Sequence, residues 1–62
     1  MCLSTVYKSE KAPQNVVMAN VQRIDIEEGQ VILTDLLDRQ TVINGVLVMV
    51  DLVGATAIVR EN

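Results

Sequence analysis

Apolar residues recur along this chain in short runs, cut by polar clusters every few positions. Several runs alternate with a period of two, the spacing of a strand that turns one face inward. In Val21–Glu27, for example, Ile24 and Ile26 share one face while Arg23, Asp25 and Glu27 share the other. β-branched residues dominate, and no stretch keeps a helical period over enough turns to compete. The pattern predicts strands over Cys2–Lys8, Val16–Ala19, Val21–Glu27, Val31–Thr34, Arg39–Asn44, Val46–Val53 and Ala57–Arg60.

The connections between these runs carry turn chemistry. The polar stretch "SEKAPQN" holds the only proline, Pro13, and reads as a loop. Glu28–Gln30 turns the chain, with Gly29 free to take a positive φ. Asp35–Asp38 reads as a bend or a single helical turn, and Gly54–Thr56 as a turn. Asn44-Gly45 is the strongest short hairpin signal in the chain. Val46–Val53 does not alternate, so both of its faces are expected to be buried, one by the core and the other by a second subunit. Seven short strands in 62 residues predict an all-β fold, a small antiparallel barrel or curled sheet of the SH3/Sm-like kind. One β domain over residues 1–62 is expected.

Composition sharpens this picture. Half of the residues are hydrophobic, but there is no Trp or Phe and Tyr7 is the only aromatic. A domain of this size buries only about 60% of the surface its unfolded chain exposes, so its stability is marginal. Small scaffolds gain support from disulfides, metals or partner subunits. The single cysteine cannot form an intrachain disulfide, which leaves self-association or a metal.

Charge excludes further classes. The net charge is −3, and the basic residues Lys8, Lys11, Arg23, Arg39 and Arg60 are scattered among acids. Nucleic-acid binding needs a basic stripe to neutralise phosphates and, for single strands, aromatic platforms. Neither is present, so RNA binding is the weakest of the alternatives. The longest apolar run, Val46–Val50, is far too short to span a bilayer. The opening residues do not follow the signal-peptide pattern, and a lone thiol suits a reducing compartment. A cytoplasmic protein with no membrane partner is expected.

The inventory also argues against an enzyme. There is no histidine and no Gly-rich phosphate loop. The carboxylate pairs Glu27/Glu28 and Asp35/Asp38 sit in turn-like contexts and read as solvated turn residues. Cys2 is the one candidate for chemistry. A lone cysteine is often a small buried hydrophobe. At position 2, however, removal of Met1 would leave an amine and a thiol on one residue, able to close a five-membered chelate ring. With Met1 retained, the thiolate could combine with its own backbone amide and the Met1 amine. Such nitrogen and sulfur donors suit Ni(II) or Cu(II). One cysteine cannot build a closed zinc site, but two chains meeting at a two-fold axis could supply two thiolates and two amines.

"MCL" at Met1–Leu3, "VY" at Val6–Tyr7, "VILTDLL" at Val31–Leu37, Gly45 and "VDLV" at Val50–Val53 are the residues in which the chain resembles the CooT family. These are small nickel-binding proteins linked to maturation of carbon monoxide dehydrogenase. The resemblance spans Met1 to about Arg60. It implies a compact antiparallel β fold, a homodimer, Ni(II) bound through Cys2, and a nickel enzyme such as carbon monoxide dehydrogenase as recipient. Relatives that use histidine as a further ligand differ from this chain, which has none. Two readings follow. The first is a nickel-binding accessory protein, a metallochaperone or nickel store, with Cys2 as metal ligand at a homodimer interface. The second is a non-catalytic β-barrel interaction module whose cysteine is incidental.

Overall fold

The computed structural model describes residues 3–62. Five strands form a closed barrel in chain order: β1 (Ser4–Lys8), β2 (Val16–Glu27), β3 (Gln30–Asp35), β4 (Gln40–Asp51) and β5 (Thr56–Glu61). Neighbours pair antiparallel except at the seam, where β1 runs parallel to β5. Closure leaves no strand edge open to templated pairing. The all-β class is as expected, but there are five strands and not seven. The strand expected to begin at Cys2 is described from Ser4 onward.

Two mergers account for the lower count. Val16–Ala19 and Val21–Glu27 are one strand, β2, bent at Asn20. Asn20 takes φ 55°, a left-handed conformation that asparagine tolerates better than most residues. The register shifts beside it, so the strand turns without ending. Its first part pairs with β1 and its second with β3.

The second merger overturns the Asn44-Gly45 hairpin. Both residues lie inside β4. Asn44 pairs with Gln30 of β3, whereas Gly45 pairs with Glu61 of β5, so the strand changes partner at this point. A side chain at Gly45 would collide with the Arg60 carbonyl. The glycine therefore serves close approach of two strands and not a turn. Gly29, by contrast, does turn the β2–β3 hairpin, with φ 75°.

The expected strand Val46–Val53 is the second half of β4 and ends at Asp51. Leu47 and Met49 are half-buried, while Val46, Val48, Val50, Leu52 and Val53 are exposed in the single chain. One row of the segment thus packs inward and the other is left uncovered in one protomer. The polar loop after β1 contains a short 3-10 turn at Pro13–Asn15. Val6, Val21, Val31, Leu33, Ile43, Ala57 and Val59 form the core, with Val17, Met18, Ile24 and Leu47 packed against it. The period-two pattern of β3 holds across this core, since Val31 and Leu33 point inward and Ile32 does not.

Candidate functional site

The register places several features around the start of β1. Ser4 pairs with Val21, and Val21 with Asp35. Thr5 pairs with Thr56, and Thr56 with Asp51. Adjacent strands lie about 4.8 Å apart, so the ends of β3 and β4 stand roughly 10 Å from the first residues of β1. Thr5 also donates its N–H to the Ala55 carbonyl at 3.0 Å, tying β1 to the β4–β5 turn. Cys2, the expected metal ligand, lies outside the described residues, as does Met1.

An open apolar groove of about 340 Å³ begins at Ser4 and runs between β2 and β4. Val21, Ile24 and Ile26 line one wall, and Leu47, Val50 and Leu52 the other. Ile26 is 66% exposed and Leu52 81% exposed, so packing within the protomer does not cover them. The groove lies along the halves of β2 and β4 that have changed partner, β2 to β3 after Val21 and β4 to β5 after Asn44. Val21, Ile24 and Leu47 belong to or pack on the core, whereas Ile26, Val50 and Leu52 at the ends of the two walls meet solvent.

Two turns of related build flank this end. In "DLLD", the buried Asp35 Oδ1 accepts from the N–H groups of Leu37 and Arg39, both at 2.9 Å. Its Oδ2 accepts from Arg39 Nε at 2.8 Å. In "DLVG", Asp51 Oδ1 accepts from Gly54 N at 2.9 Å. Asp35 had the sequence signature of a solvated turn residue, yet it is only 4% exposed. Burial alone would raise its pKa. The bonds from Arg39 and Leu37 and the Arg39 charge outweigh that and hold Asp35 below the ordinary 3.8. Arg39, four residues on, was the available sequence signal for this clasp.

A polar cleft of about 360 Å³ lies beside the first turn, lined by Gln22, Arg23, Asp25, Thr34, Asp38 and Gln40. Arg23 makes a two-pronged pair with Asp25 at 2.9 and 3.1 Å. That hydrogen bonding, with the Asp25 charge, raises the Arg23 pKa above its ordinary value. Asp38 accepts from Gln22 Nε2 at 3.0 Å, and among the described residues no Lys or Arg forms an ion pair with it. Among the described residues, no group of three or more His, Cys, Asp or Glu side chains is placed to hold a metal. No helix among them is long and apolar enough to cross a membrane.

A family model described as CO dehydrogenase accessory protein CooT matches residues 1–60. The chain belongs to the CooT family. The match takes in both Asp-clasped turns, the groove and the Met-Cys start. The family's description gives the chain an accessory role. No curated protein matches the chain.

Proposed function

We propose that this protein binds Ni(II) through Cys2 at a homodimer interface, in the cytoplasm, and stores or delivers it for CO dehydrogenase. The observation that carries the reading is the family match, which begins at residue 1 and so includes the only thiol of the chain. The fold supports the dimer. Ser4, two residues beyond Cys2, borders an apolar groove whose walls are left open in one protomer. A second copy seated on that groove would remove Ile26, Val50 and Leu52 from water and bring two N-termini toward one axis. Thiolate and amine donors from the two termini then complete a nitrogen–sulfur site suited to Ni(II). The remaining donors are backbone amides or water, because the chain has no histidine.

Native mass spectrometry with added Ni(II), on material whose N-terminus has been sequenced, tests this. One nickel per dimer, lost in Cys2→Ser, is the expected outcome. A Ser variant that keeps the original stoichiometry and affinity would rule out Cys2 as the principal ligand.

A further inference from the structure

The Asp35 clasp is far stronger than a short turn requires. A buried carboxylate is costly unless it is well bonded. Here its three hydrogen bonds are spent on a turn whose tip, Leu36 and Leu37, is 53% and 69% exposed and joins no core contact cluster. The turn is pinned further. Asp35 N donates to the Arg39 carbonyl at 2.9 Å, Asp38 N to the Asp35 carbonyl at 3.0 Å, and Leu36 N to the Asn20 carbonyl at 2.9 Å. Asp38 holds φ 63°, a conformation kept only where its surroundings enforce it. The backbone that presents the two exposed leucines is thus held in place before any contact.

From this we infer that Leu36 and Leu37 form a preorganised docking knob for the enzyme this accessory protein serves. The inference rests on the accessory role proposed above. An anchor whose conformation is set before contact avoids the ordering cost that weakens flexible contacts. Electrostatics selects the occupant. Arg39 is paired with Asp35, and Arg23 with Asp25, so among the described residues the neighbouring polar cleft keeps the charge of Asp38 without an ion pair. The fitting partner is a protein surface with an apolar pocket for the two leucines and a lysine or arginine at its rim. That cation enters the cleft between Asp38 and Asp25. Among the described residues, Lys8, Lys11 and Arg60 stand on separate segments and none adjoins an apolar pocket of the chain, so a second copy is the less fitting occupant. The other Asp-clasped turn differs. It has one carboxylate bond, and its Leu52 belongs to the groove.

The test is binding of the purified protein to purified, nickel-free CO dehydrogenase. The double variant Leu36→Gln/Leu37→Gln should weaken binding about tenfold or more. Asp38→Lys should weaken it and flatten its salt dependence. Val46→Gln, which alters an exposed apolar residue in the half of β4 paired with β5, should bind like the original protein. Nickel stoichiometry and oligomeric state, measured on the same preparations, should not change in the double variant. Unchanged enzyme binding by that variant would overturn the proposal, as would its conversion to a monomer, which would make the turn a contact between copies. Failure of the unaltered protein to bind the enzyme would also overturn it. The nickel titration would still judge the metal-binding reading by itself.

Discussion

Gly45 of β4 lies against the backbone of Arg60 in β5, so closely that a Cβ would overlap the Arg60 carbonyl oxygen. It would also stand 2.9 Å from the Arg60 carbonyl carbon and 3.0 Å from Glu61 Cα. This contact marks the point where β4 leaves β3 for β5. Gly45→Ala should therefore push β4 and β5 apart where their pairing begins. A loss of about 1–3 kcal/mol is expected, the usual range for overpacking, read from urea unfolding. Gly29→Ala, where a Cβ has open space and only φ 75° is strained, should still fold, so the pair separates steric from conformational cost.

Asp35 links stability to pH. Its carboxyl titrates below 3.8 in the folded chain because the Arg39 and Leu37 bonds and the Arg39 charge outweigh burial. The unfolded state therefore binds the proton more readily. The stabilisation is fully present above the unfolded value of about 3.9 and is lost as pH falls through the lower, folded value. Thermal melts between pH 3 and pH 7 should show the original protein losing stability toward the acid end. Asp35→Asn should be less stable at pH 7 and show a shallower dependence. Parallel curves for the two proteins would contradict the linkage.

Leu33 is the largest fully buried side chain. Leu33→Ala should cost about 2–5 kcal/mol through lost burial and an unfilled cavity. In a domain this small that is a large part of the total, so substantial unfolding at room temperature is expected by circular dichroism. Lys8→Ala should do little, because the Lys8–Glu61 pair is 3.7 Å apart and half-exposed.

The proposed dimer can be separated from folding. Ile26 lines the groove yet is 66% exposed, so Ile26→Asp should leave the protomer folded. It should abolish association, since the new carboxylate would be buried without a partner. Sedimentation of both proteins at equal concentration, beside their circular dichroism, checks this. A variant that remains dimeric would move the interface away from the groove.

Nickel affinity should fall from mildly alkaline to acidic pH. The thiol and the terminal amine must both lose protons before binding, with reference values of about 8.5 and about 7.7–8.0. Isothermal titration at several pH values, with proton release followed in buffers of different ionisation enthalpy, measures this. Affinity that does not vary with pH would argue against a thiolate–amine site.

Much of this molecule was legible along the chain. Period-two patterning marked most of the strand residues, and Gly29 marked the first hairpin, because alternation and positive φ are local properties. The family resemblance was carried by short motifs at the N-terminus, at Val31–Leu37 and at Val50–Val53. These motifs include both Asp-clasped turns, although Asp35 looked solvated. Its burial depends on Arg39 folding back and on Asn20 capping Leu36 N, neither of which a turn propensity encodes.

What the sequence by itself determined was the all-β class, the aliphatic core, the exclusion of histidine chemistry and the single thiol at Cys2. Only the tertiary structure decided that Asn20 bends one strand instead of dividing two, and that Asn44-Gly45 lies inside a strand. It also decided that the groove and the Leu36–Leu37 tip open beside the start of β1. The reason is physical. A turn signal states what the backbone can do at one residue, whereas barrel closure depends on which distant strand arrives there. At Gly45 that strand was β5, and the freedom that could have made a hairpin became the space that let Arg60 approach.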